Sequence, residues 1–227
     1  WVPASNTPAE TVERLAAHQL PTVTFLRRIE HSPFDHVGIE DAAATEAAVR
    51  HLADLGHQAI AYLGGQATYG VRVERLVGYR RALSERSAFS PLVWDCEDNK
   101  RAGLDAMIAL RQAHPEVTAV VCNGDMVAIG ASLGLLRIGQ RPGLEVSIVG
   151  FDDIQDAAIT TPPLTTMAVK PYQLGRRLAR TLLDRIADPQ MLRAMVMVPA
   201  ERVARETTAP PPHTHRDAMV EPARIEF

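Results

Sequence analysis

The sequence predicts an α/β protein built on parallel sheet with helices on both faces. Three observations carry this. Short apolar runs of strand length alternate with segments whose apolar residues recur at helical spacing. The links between them are short, as in repeated βα units. The composition, 46 % hydrophobic and 22 % charged over 227 residues, is that of a globular chain able to bury a sizeable core.

Taken in order, Thr11 to His18 reads as the end of a helix, with Pro8 near its start and Val12 and Leu15 facing inward. Leu20-Pro21 breaks it, and Thr22 to Phe25 and Val37 to Ile39 read as strands. Asp41 to Leu55 places Ala44, Ala47, Ala48, Leu52 and Leu55 on one helical face, with Gly56 where a left-handed C-cap is wanted. Ala59 to Leu63 is a buried strand ended by Gly64-Gly65, and Val71 to Arg86 is a helix. Leu92 to Asp95 is strand-like, and the helix Arg101 to Ala113 stops at His114-Pro115. The strand Ala119 to Cys122 is followed by the helix Asp125 to Ile138, which ends at Gly139, and by the strand Ser147 to Phe151. After Pro162-Pro163 come a strand at Thr165 to Val169 and a helix at Tyr172 to Ile186. Strand-like stretches follow at Met195 to Val198 and Arg202 to Val203. From Ala209 onward Pro, His and charge predict a loose tail.

Charge narrows the function. The formal net charge is -3, and no basic stripe of the kind that grips phosphates is present. The run Arg72, Arg75, Arg80, Arg81 and Arg86 reads as a solvated helix face. Cys96 and Cys122 make no disulfide framework and fit a reducing cytoplasm, although a single bridge between them is left open. The longest apolar runs, such as Thr118 to Cys122, are too short to span a bilayer, and no signal peptide is visible. Gly64-Gly65 is not a dinucleotide fingerprint, no HExxH or CxxC occurs, and Ser84, Ser87 and Ser147 lack a nucleophile-elbow context. His213 and His215 sit in the tail, away from any metal-ligand pattern. These residues predict no catalysis, no cofactor and no metal site.

Three segments carry a resemblance. The first runs from Val37-Gly38-Ile39-Glu40-Asp41 through Leu55-Gly56-His57 to Ile60-Ala61-Tyr62-Leu63-Gly64-Gly65. The second is Arg75-Leu76-Val77-Gly78-Tyr79, followed by Ala82-Leu83. The third runs from Asp125, Ala128, Gly130 and Gly139 to Val149-Gly150-Phe151-Asp152-Asp153-Ile154, then Pro162-Pro163-Leu164-Thr165-Thr166-Met167 and Leu174-Gly175. In order and spacing they resemble the LacI/GalR transcription regulators over residues 1 to 208.

That resemblance implies a two-lobe, periplasmic-binding-protein-like fold with an effector between the lobes. It assigns residues 1–40 and 165–188 to an amino-terminal lobe, 41–164 and 189–208 to a carboxy-terminal lobe, and 209–227 to the tail. Trp1 to Thr7 matches the family's third strand and its following loop. The helix-turn-helix headpiece and the start of the amino-terminal lobe are therefore expected outside this chain. The expected partners are a small-molecule effector, a carbohydrate by class, a second copy in a homodimer, and operator DNA through the headpiece alone. A cytoplasmic location and no membrane contact follow. The alternative is a periplasmic sugar-binding protein of a transporter, which shares the fold.

The site should lie at the carboxyl ends of the strands. Arg75 matches the family arginine three residues before a glycine, and its guanidinium offers a fork of donors to hydroxyls or a carboxylate. Asp152 follows a strand and can accept two hydrogen bonds from neighbouring sugar hydroxyls. Asn123 and Asp125 flank Gly124 where the family usually has Asn directly before Asp, and Asp125 also suits a helix start. Tyr69 could stack on a sugar face. Two positions depart from the family: Asp98 stands where an aromatic residue is common, and Val169 where sugar-responsive members place a polar one. Trp94 reads as core.

Overall fold

A computed structural model describes residues 1–4, 6–29, 31–65, 70–86 and 90–212. The chain forms α1 (Ala9–Ala17), β1 (Val23–Phe25), β2 (Asp35–Ile39), α2 (Asp41–Asp54), β3 (Ile60–Leu63) and α3 (Gly70–Arg86). It continues through β4 (Leu92–Trp94), α4 (Lys100–Ala113), β5 (Ala119–Cys122), α5 (Asp125–Arg137), β6 (Ser147–Asp152) and α6 (Gln155–Ile159). The last elements are β7 (Thr165–Ala168), α7 (Pro171–Ala187), β8 (Met195–Val198) and β9 (Glu201–Val203). The α/β class is as expected, and α6 is a five-residue helix too short to leave a periodic signal.

The strands form two sheets. One is a parallel three-stranded sheet in the order β1-β2-β8. The other has six strands in the order β4-β3-β5-β6-β7-β9, parallel throughout except for the antiparallel edge strand β9. Its inner strands β3 and β5 are apolar on both faces because both faces are covered. Tyr62, Val121 and Phe151 point toward α2 and α3, whereas Leu63, Val120 and Ile148 point toward α4 and α5. The paired helices approach closely at glycines. A Cβ on Gly78 of α3 would lie 2.0 Å from the Ala42 carbonyl oxygen of α2.

The sheet pairing corrects the expected lobe boundaries. β7, expected with residues 1–40, lies between β6 and β9 in the six-stranded sheet, while β8, expected with the second lobe, pairs with β2. The link from α6 is short and Thr166 is tied to α5 by its hydroxyl, so the chain stays on the six-stranded sheet until Ala168. It crosses after that strand, so α7 packs on β1 and β2, and it returns between β8 and β9. The expected tail also begins too early. The Ala209 amide and carbonyl both bond the Ser147 hydroxyl, at 3.1 and 3.0 Å, while residues 213–227 lie outside the described residues. Cys96 and Cys122 are both free thiols, so the bridge left open by the sequence is not formed.

Candidate functional site

In the six-stranded sheet the chain runs from β3 outward to β4 and then returns to the other side of β3 with β5. The loops after β3 and β5 therefore diverge and leave a crevice at the carboxyl edge. Arg75 reaches into it from α3. Its Nε donates to Asp41 Oδ1 at 2.7 Å, its Nη1 donates to the Asn123 carbonyl, and its guanidinium lies 3.5 Å from the Phe151 ring centroid. Arg75 and Asp41 side chains are only 7 % and 6 % exposed, so this is an internal ion pair. The remaining edge faces Asp152, with Nη2 3.9 Å from its Oδ1.

Asp152 ends β6 with φ +112°, followed by Asp153 at φ +60°, a backbone conformation that side chains rarely adopt. The turn directs the Asp152 carboxylate over Gly124, where a Cβ would lie 3.3 Å from Oδ2. Asp153 turns away to accept from Arg205 at 2.6 Å, which fixes the turn from the other side. Among the described residues the Asp152 carboxylate accepts no hydrogen bond, and its side chain is 47 % exposed. Withdrawal from bulk water raises its pKa to about 6; Arg75 opposes the rise, and Asp125, Asp41 and Asp98 add to it.

Asn123 closes one wall. Its Nδ2 donates to both Asp98 oxygens at 2.8 and 2.9 Å, and its Oδ1 accepts from the Tyr62 hydroxyl at 2.7 Å. Arg72 braces the other side, donating from Nε to the Gly64 carbonyl at 3.2 Å and pairing through Nη2 with Asp95. The arginine run of α3 is thus not one solvated face. Arg80 and Arg81 are exposed, but Arg72 and Arg75 are drawn into the crevice by Asp95 and Asp41.

The sequence candidates separate into groups. Arg75, Asn123 and Asp152 come together at the crevice. Asp125 does not join them: it is fully buried, with Oδ2 accepting from the Ile154 amide at 2.9 Å and Oδ1 from the Thr166 hydroxyl at 2.6 Å. Both oxygens are spent holding α5 to β6 and β7, so Asp125 is a strut. Burial raises its pKa against the lowering effect of those bonds. Tyr69 lies outside the described residues. Trp94 is half-buried and packs edge-on against His114, with ring centroids 5.9 Å apart. Asp41, Arg72 and Tyr62 were not singled out as site residues, because an acid at a helix start, an arginine on a polar helix and a strand tyrosine give no local signal.

Beside the crevice, a cavity of about 460 Å³ separates the two sheets, lined among others by Leu26, His36, Asp41, Val71, Glu74 and Met197. The Thr24 hydroxyl can only donate to the Asp35 carbonyl at 3.0 Å, so it accepts from His36 Nδ1 at 3.0 Å and leaves His36 Nε2 an acceptor. Arg28, beyond β1, reaches Glu74 of α3 at 3.7 Å and bridges the two parts of the molecule. Among the described residues no group of three or more His, Cys, Asp or Glu could hold a metal ion, and no helix is long and apolar enough to cross a membrane.

A family model described as a periplasmic binding protein-like domain matches residues 49–208. The maltose regulon regulatory protein MalI of Escherichia coli is 28 % identical over 208 residues, 86 % of this chain and 61 % of that protein. The ribose operon repressor of Haemophilus influenzae is 34 % identical over 155 residues, 67 % of this chain and 47 % of that protein. The chain therefore spans between about half and three fifths of these relatives. Among solved structures, a LacI family transcriptional regulator from Enterococcus faecium with bound ribose superposes with a TM-score of 0.82. It is 26 % identical, and the match covers 89 % of this chain and 76 % of that one.

Proposed function

This chain belongs to the periplasmic binding protein-like domain family, in its LacI/GalR form, and from that premise we propose that it is the effector-sensing core of a transcription regulator. The carrying observation is the geometry of Asp152. A carboxylate to which none of the described residues donates a hydrogen bond sits at the carboxyl edge of the sheet, 3.9 Å from a buried, fully oriented arginine. Held by a strained turn, it is placed to accept from neighbouring hydroxyls, with Arg75 and Asn123 as the flanking polar groups. A sugar or sugar derivative is the ligand class. Relatives named for the maltose and ribose systems, and the ribose bound in the Enterococcus faecium structure, support it.

The protein acts by binding, not catalysis, and works in the cytoplasm. Effector in the crevice shifts the two lobes relative to one another, and the Arg28–Glu74 bridge is one contact that such a shift remakes. DNA is read by a helix-turn-helix headpiece elsewhere in the protein, through a homodimer whose coupling carries the signal. Met126, Leu133 and Leu136 on α5 leave an exposed apolar surface suited to a second copy. Relatives named as regulators favour this function over a transporter's binding protein.

A thermal-shift screen against sugars, sugar phosphates and purines tests it. A ligand at a hundredfold excess over its Kd should raise Tm by roughly 5 °C or more. The shift should vanish in Asp152→Ala. A folded protein that no ligand stabilises contradicts the assignment.

A further inference from the structure

We propose that the effector of this cleft carries a positive charge beside its hydroxyl groups, as an amino sugar or similar polyhydroxylated amine does, and that phosphorylated and carboxylated sugars are excluded. The proposal rests on the effector-site assignment above and refines its ligand.

The charges around the crevice do not balance. Two ion pairs are closed: Asp41 with Arg75 and Asp95 with Arg72. Two carboxylates are left over. Among the described residues Asp98 meets only the neutral amide of Asn123. Asp152 has only the far edge of Arg75, a cation already committed to Asp41. Asp98 and Asp152 both reach the Asn123-Gly124 link, one bonded to Asn123 and the other over Gly124. They are near enough for Asp98 to raise the pKa of Asp152.

Among the described residues, the cations at the crevice, Arg72, Arg75 and Lys100, are each already paired with a carboxylate. The Arg72 and Arg75 side chains are 5 % and 7 % exposed, with donors directed at Gly64, Asp95, Asp41 and Asn123. Lys100, at the start of α4, pairs with Asp156 at 2.5 Å. Across the cavity, Arg28 is neutralised by Glu74. An anionic ligand would add a third unpaired negative charge to a partly desolvated site, whereas an ammonium between Asp98 and Asp152 would be a charge-assisted donor to both.

Calorimetric titration of the chain with a panel of 2-amino sugars decides it, each measured against its parent sugar and the parent's phosphate. At least one amine should bind roughly tenfold or more tightly than its parent, a difference of about 1.4 kcal/mol. No phosphate should bind. Asp98→Asn should shrink the advantage of the amine over its parent. A parent sugar or phosphate that binds as tightly as the amine overturns the proposal while the effector site stands. A panel in which nothing binds overturns the proposal too, and the effector-site assignment then depends on the broader thermal screen.

Discussion

Arg75 donates from Nε to Asp41 at 2.7 Å, and this buried ion pair makes the crevice a structural element as well as a binding surface. Removing one partner strands the other's charge away from water. Arg75→Ala should therefore destabilise the fold by about 3–5 kcal/mol, read as a lower urea midpoint at unchanged slope. Asp41→Ala should do the same. A loss below roughly 1 kcal/mol would mean that the pair is solvated. For binding experiments this makes Asp152→Ala the cleaner probe, because the Asp152 side chain makes no hydrogen bond among the described residues.

Asp152 links pH to stability. Its pKa is raised from the ordinary 3.8 to about 6, so its ionised form is penalised in the folded state. The folded state is therefore favoured while Asp152 is protonated, and that contribution is lost as pH rises from about 3.8 to about 6. Asp41 and Asp125 are raised too, so the wild type alone mixes several titrations. The difference between wild type and Asp152→Asn isolates this group. The variant should melt about 2 °C higher at pH 7.5, with a much smaller gain at pH 4. An equal gain at both pH values would remove the carboxylate's charge as the cause.

Asp125 should behave oppositely to Asp152. Its two oxygens hold the Ile154 amide and the Thr166 hydroxyl, and Asp125→Ala leaves both donors without this partner, the Thr166 hydroxyl fully buried. A loss of about 1–3 kcal/mol is expected, with ligand affinity kept within about twofold in the folded fraction. A large loss of affinity at unchanged stability would return Asp125 to the binding site.

The two glycines Gly78 and Gly175 separate packing from mere sequence pattern. Ala at Gly78 would place its Cβ 2.0 Å from the Ala42 carbonyl oxygen, so Gly78→Ala should cost about 1–3 kcal/mol by forcing α2 and α3 apart. A Cβ at Gly175 meets nothing within 4 Å, so Gly175→Ala should stabilise α7 by about 0.5–1 kcal/mol. Equal effects at the two positions would contradict the helix packing described.

Much of the fold was legible because apolar period is a local signal. The strand Ala119–Cys122, predicted with the same bounds, is apolar at every position and buried on both faces. Sheet membership was not legible in the same way. Nothing local in Thr165–Ala168 or Met195–Val198 states which strand each will pair with; that depends on where the chain crosses between sheets. The site shows the same division. Arg75 and Asp152 were found by their place in motifs, and Asp125 was found with them although it packs inward. Asp41, 34 residues before Arg75, became visible only once α2 and α3 were packed side by side.

The most direct test of the central claim is the structure of this chain with the ligand that shifts its melting temperature most. The effector assignment predicts ligand hydroxyl or amine groups within about 3.2 Å of the Asp152 carboxylate, with Asn123 or Arg75 at the flank. A ligand seated only in the neighbouring cavity, against His36 and Met197 and away from Asp152, would contradict it.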